Sequence, residues 1–211
     1  MKTKSKMAVE PARHEDAQIR ILRFLWKTRN EWSGREISRE VRLSAPACHD
    51  ALKKLNARGL VLFRHVSNVH LYKINPDNYL VQHVFARQFQ AERDMPQQIE
   101  TAIKRTLVSD AANILSLVIF GSMARGTNKP DSDLDLLVVL PTKDAAKGVE
   151  ERLERLRSLL SRRFSVPLSP YVQALSELRH KHDTKLPLIG EILKDGRTIY
   201  GKDLKEMLHD R

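Results

Sequence analysis

Apolar residues recur along this chain with two different periods. From Glu15 to Asn30, Ile21, Leu22, Leu25 and Trp26 fall at helical spacing among Arg and Lys, which predicts an amphipathic helix. Ser33-Gly-Arg-Glu36 has the spacing of a capping box and opens a short second helix with Ile37 and Val41 inward. Ser44-Ala-Pro46 starts a third helix with Ala51, Leu52 and Leu55 inside, and Gly59 stands where a helix ends. The period then shortens. Leu60–His65 and Val69–Ile74 read as strands around Ser67-Asn68, a hairpin signal.

Asn75-Pro-Asp77 is a breaker. Tyr79 to Leu107 returns to the helical period, with Val81, Phe85 and Phe89 four apart and Met95-Pro96 expected to interrupt. Leu115–Phe120 is an apolar run that predicts a buried strand, and Asp133–Leu140 predicts a second. Lys143–Phe164 is amphipathic, its stripe formed by Val149, Leu153, Leu156 and Leu160. Val166–Leu175 predicts a strand, Ser176–Lys181 and Leu186–Lys194 helices, Gly196–Tyr200 a closing strand and Lys202–Arg211 a last helix. His180 and His182 are two apart on a helix and diverge, which argues against a metal pair. The class is α+β.

Charge divides the chain. Of a net +11, residues 1–90 hold 17 Lys/Arg against 8 Asp/Glu, and residues 91–211 hold 20 against 18. A basic N-terminal half suggests a polyanion, most often nucleic acid. The single cysteine, Cys48, excludes a disulfide framework and any multi-Cys metal site, and no His/Asp set accompanies it as a nucleophile would require. No apolar run reaches the roughly 20 residues of a membrane span. The Lys-rich start lacks an apolar signal core, so the cytoplasm is the expected location.

The chemistry gathers between the strands of residues 115–120 and 133–140. Gly121-Ser122 follows the first strand. Gly121 lets backbone approach a ligand closely, and Ser122 offers a hydroxyl and an N–H. A helix starting there would favour a phosphate group at its N-terminus, and Arg125 can add a charge-assisted contact. Asp133 and Asp135 share one face of the second strand, roughly 6.5 Å apart along the chain. Two such carboxylates converge on a divalent cation, or repel until one keeps its proton. A hard cation such as Mg²⁺ takes oxygen ligands of this kind and fills its other positions with water and substrate phosphates.

Gly121, Ser122, Asp133 and Asp135, with Ala124-Arg125-Gly126 in the turn, resemble the nucleotidyltransferase superfamily that includes DNA polymerase beta. The resemblance covers residues 113 to 201. It implies Mg²⁺-dependent binding of a nucleoside triphosphate and transfer of a nucleoside monophosphate to an acceptor hydroxyl. Asp133 and Asp135 would be the catalytic, metal-holding pair, and Gly121, Ser122, Arg125 and Ser132 the nucleotide contacts. Active relatives carry a third carboxylate on a later strand. The matching strand here, Val166–Leu175, has none; Glu177, past its end, is the nearest acid.

Three helices followed by a hairpin resemble a winged helix-turn-helix. Carried across, Ser44, Ala47, His49, Asp50, Lys53 and Lys54 of the third helix face double-stranded DNA, with Arg64, His65, Asn68 and His70 on the wing. Lys and Arg would mainly hold phosphates. The expected organisation is a flexible basic tail (1–14), a winged helix-turn-helix domain (15–78), a helical linker (79–112) that serves intramolecular packing or a homodimer seam, and a nucleotidyltransferase-like mixed sheet with flanking helices (113–211). Two functions follow. One is a DNA-tethered nucleotidyltransferase, its base being water, substrate phosphate or Glu177. The other is a transcriptional regulator or toxin–antitoxin component that senses nucleotide without turning it over.

Overall fold

Leu134, Leu136, Val138 and Leu140 alternate along one strand with Asp135, Leu137 and Val139, so the strand is apolar on both sides and must be covered on both. The covering elements are found in a computed structural model that describes residues 16–108, 114–126 and 132–209. The basic tail 1–14, the linker's last residues 109–112, Pro130 with its neighbours in the 127–131 turn, and the end of the last expected helix lie outside the described residues.

Described residues up to Asp94 form one compact unit and those from Met95 onward another; the division falls inside a helix. The first unit contains α1 (Ala17–Thr28), β1 (Trp32–Ser33), α2 (Gly34–Glu40), α3 (Ala45–Ala57), β2 (Val61–Val66) and β3 (Val69–Ile74). Ile21, Leu22, Leu25, Ile37, Leu52 and Leu55, all fully buried, bring the three helices together over the base of the hairpin. The capping box forms as expected: Ser33 Oγ accepts from Glu36 N (3.3 Å), and Glu36 Oε2 accepts from Ser33 N (2.8 Å). Ser44 caps α3, and Gly59 follows that helix at φ +67°. Cys48 is buried on the inner face of α3, where desolvation raises its thiol pKa. These elements are the winged helix-turn-helix that the sequence pattern led us to expect. β1 was not anticipated: two residues that cap α2 also pair with β3, Trp32 opposite Tyr72.

A π-helical turn (Val81–Phe85) leads into α4 (Ala86–Val108). The expected interruption at Met95-Pro96 does not occur; Pro96 sits inside the helix. Proline removes the bond that would run to the carbonyl four residues earlier, here Glu92, and crowds that carbonyl; both residues lie on a partly exposed face.

The second unit is a four-stranded mixed sheet in the order β6-β5-β4-β7, built from β4 (Ser116–Phe120), β5 (Leu134–Leu140), β6 (Leu168–Ala174) and β7 (Arg197–Gly201). β4 runs antiparallel to β5 and β7. β5 and β6 are parallel, joined by the crossover helix α6 (Lys147–Phe164), as a parallel pair requires. One face packs on α6 and the end of α4 through Leu117, Ile119, Leu136, Val138, Leu153 and Leu156. The other packs through Val118, Phe120, Leu137 and Val139 on α7 (Leu175–Asp183), α8 (Pro187–Asp195) and α9 (Leu204–His209). The fold is α+β. No helix among the described residues is long and apolar enough to cross a membrane.

Candidate functional site

β4 ends at Phe120 and the chain turns at once into α5 (Gly121–Arg125), a single helical turn that closes on Gly126 in the left-handed conformation. Phe120 pairs with Asp135 across the antiparallel ladder, so the bend lies beside that carboxylate. The approach is close enough to dictate the residue. Gly121 has φ +72°, and a Cβ there would stand 2.0 Å from Asp135 Oδ2. Only glycine meets both conditions. The residue before α5, Phe120, brings no side-chain cap to its first N–H groups.

Asp133 directly precedes β5 and is exposed; Asp135 is the strand's second residue and is half-buried. Burial first, and then the charge of Asp133, push the Asp135 carboxyl above the usual carboxylate range, while Arg125 pulls it down. The two carboxylates therefore repel one another. Among the described residues there is no cluster of three or more His, Cys, Asp or Glu suited to a metal. The donor set is this carboxylate pair, which suits a hard divalent cation that keeps water and phosphate in its other positions. Ser132 lies next to Asp133 and is half-buried.

Arg125 pairs with Asp195, the last residue of α8, with Nη1 3.5 Å from Oδ2. Its charge thus acts on both Asp195 and Asp135. No sequence signal links Asp195 to this site, because 70 residues and four elements, β5, α6, β6 and α7, separate it from Arg125.

The neighbouring strand supplies no acid. β6 pairs in register with β5, placing Ser169 beside Asp135, Tyr171 beside Leu137 and Gln173 beside Val139. Lys181 Nζ donates to the Tyr171 hydroxyl (3.0 Å) and to Gln173, which occupies those polar groups. The structure also removes Glu177 as a candidate base. Its carboxylate accepts from Ala174 N (3.4 Å) and pairs with Lys143 at 2.6 Å. Ala174 lies beside Leu140, at the opposite end of β5 from Asp135. Five residues of strand, about 16 Å, separate Leu140 from Asp135. The Lys143 contact also lowers its pKa, so it is a poor proton acceptor. A hollow of about 740 Å³ lies along α6 on the other side of the sheet, lined by Glu151, Arg155, Leu159 and Arg163 among others. It shares no residue with the acid pair.

In the N-terminal unit, Ala47, His49, Asp50, Lys53 and Lys54 are exposed on α3. Ser44 is exposed too, but its hydroxyl accepts from Ala47 N (3.4 Å) as the cap. Arg64, His65, Asn68 and His70 are exposed on the wing. Arg64 is committed to Glu31, its Nε 2.9 Å from Oε2. Aromatic rings line one face of the wing: Phe63 lies 5.4 Å from Tyr72 and 5.0 Å from His70.

Residues 101–205 match the family described as polymerase beta, nucleotidyltransferase, and residues 15–61 match winged helix-turn-helix DNA-binding. A protein of Methanocaldococcus jannaschii with the provisional name of protein adenylyltransferase is 34% identical over 94 residues, which are 43% of this chain and 61% of that protein. The chain thus spans about three-fifths of that curated relative's length. Among solved structures, a toxin–antitoxin with AMP-PNP is 15% identical with a TM-score of 0.35, covering 52% of this chain and 78% of that one. A Lactococcus lactis ZitR mutant in complex with DNA is 19% identical with a TM-score of 0.34, covering 47% and 72%. Likenesses of that size carry no argument about function.

Proposed function

We propose, for a chain that joins a winged helix-turn-helix segment to a domain of the polymerase beta nucleotidyltransferase family, that it binds duplex DNA through the first and a nucleoside triphosphate with Mg²⁺ through the second. The transfer proposed is of a nucleoside monophosphate to an acceptor hydroxyl. The observation that carries the reading is the contact between bend and acid: Gly121 at φ +72° with no room for a Cβ against Asp135. That contact leaves open backbone beside a repelling carboxylate pair, where polyphosphate and cation can meet.

Asp133 and Asp135 would hold the cation, which when bound neutralises charge on phosphate oxygens. The Gly121 and Ser122 N–H groups donate to phosphate, with Ser132 at the same mouth, and Arg125 adds a fixed positive charge. The acceptor hydroxyl oxygen bonds to the α-phosphorus as the bond to the bridging oxygen breaks, and pyrophosphate leaves. The hydroxyl proton passes to water or to a substrate phosphate, since β6 carries no carboxylate and Glu177 lies at the far strand end. The name of the archaeal relative favours a protein hydroxyl as acceptor and adenylate as the group moved. On the other unit, His49, Lys53 and Lys54, with Ala47 and Ser44 at the start of α3, would face the duplex, and Arg64, His65 and Asn68 its backbone.

A second reading rests on β6. A strand beside Asp135 that offers Ser169, Tyr171 and Gln173 favours a domain that holds nucleotide and changes DNA affinity without turnover, as a regulator or toxin–antitoxin component would. One experiment separates the two. The full chain is incubated with Mg²⁺, each labelled triphosphate and candidate acceptors, alongside Asp133→Asn. Label transfer abolished by the substitution supports the enzyme, and saturable nucleotide binding without transfer supports the sensor. No Mg²⁺-dependent nucleotide binding would overturn both.

A further inference from the structure

His65 and His70 face each other across the wing, as direct partners in the β2–β3 ladder. Opposed residues of an antiparallel pair have Cβ atoms about 4.5–5.5 Å apart, so their side chains are held together by backbone alone. Their ring centroids are 4.9 Å apart, inclined by 74°. Both side chains are exposed, and neither ring hydrogen-bonds within the described residues. Phe63 sets its ring against that of His70 edge-on (5.0 Å, 85°), which limits the rotation of the imidazole before any ligand arrives.

That spacing fits one ion shared by two imidazoles. Imidazole nitrogen binds zinc at about 2.0–2.1 Å, which puts each ring centre about 3.2 Å from the metal. At ligand angles of about 90–110°, two rings on one ion then stand about 4.5–5.2 Å apart. The observed 4.9 Å lies inside that interval. We propose that His65 and His70 chelate a divalent transition-metal cation at the tip of the wing. Imidazole selects such ions over Mg²⁺ and Ca²⁺, which take oxygen. With two positions filled by the protein, the others stay open to water or an external donor. The bound ion also places positive charge on the face of the wing away from Arg64, whose charge is already matched by Glu31. The site is separate from the acid pair and does not depend on how that pair is used.

The test uses the full chain, stripped of metal, with excess Mg²⁺ present to occupy carboxylate sites. Zn²⁺ is titrated by calorimetry and Cu²⁺ is followed by electron paramagnetic resonance. Micromolar Zn²⁺ binding is expected, with a Cu²⁺ spectrum split by two nitrogens. His65→Ala and His70→Ala should each weaken binding by more than about tenfold, since losing even an outer-shell partner costs about 10–100-fold. His182→Ala should leave it unchanged, because His182 and His209 stand 6.2 Å apart and His209 Nδ1 already meets Lys205 O at 2.6 Å. Unaltered Zn²⁺ affinity in both wing variants, a single-nitrogen Cu²⁺ spectrum, or loss of binding in His182→Ala would overturn the proposal.

Discussion

Gly121 and Asp135 define what single side chains decide here. Gly121→Ala would put a methyl 2.0 Å from a carboxylate oxygen in a left-handed backbone, so something must shift. The left-handed conformation alone costs about 1–2 kcal/mol for a non-glycine residue. We expect a lower midpoint in urea and loss of Mg²⁺–nucleotide binding measured by calorimetry. Asp135 acts in the opposite sense on stability. Its pKa is raised by burial and by Asp133, so the native state holds its proton longer than the unfolded chain does. The penalty is absent below the ordinary value of 3.8, grows as pH rises through the native value, and is complete above it. Asp135→Asn should therefore raise the cation-free melting temperature at pH 7 while removing Mg²⁺-dependent nucleotide binding. These residues were legible in the sequence because glycine-serine and two acids of the same strand parity flank two apolar runs. The Arg125–Asp195 pair was not, since only the packing of α8 near α5 brings it about.

Among the elements, β6 decides more than its polar look suggests. Its parallel register beside β5 sets Ser169 next to Asp135. A carboxylate installed there, Ser169→Asp, would make a third acid on the same face. We expect tighter Mg²⁺ binding and greater label transfer, read against Ser169→Ala; no gain in either would show that register alone does not make the position a ligand. In the N-terminal unit the capping box is the local control. Ser33→Ala should cost about 1 kcal/mol by chemical denaturation, the usual loss for an N-cap hydroxyl. Helix starts and the hairpin followed from short-range signals, capping side chains and turn residues. Two elements departed from the sequence reading for different reasons. β1 exists only because β3 lies alongside, and α4 continues past Pro96 because one missing hydrogen bond on a partly exposed face is tolerated. Glu177 looked near in sequence, yet a strand's length separates it from the acids.

At the scale of the whole chain, the two units have separate cores and separate charge balances. Duplex DNA should bind with an affinity that falls steeply as salt rises, and Lys53→Glu with Lys54→Glu should flatten that slope in a filter or anisotropy titration. The same double variant should leave nucleotide binding intact, just as Asp133→Asn should leave DNA binding intact. The lone thiol adds a handle on this division. Cys48 is sealed in the three-helix core, and no other sulfhydryl exists anywhere in the chain. Alkylation by iodoacetamide must then wait for that core to open, so its rate, followed by mass spectrometry with and without DNA, reports the breathing of one half of the protein while the other stays silent.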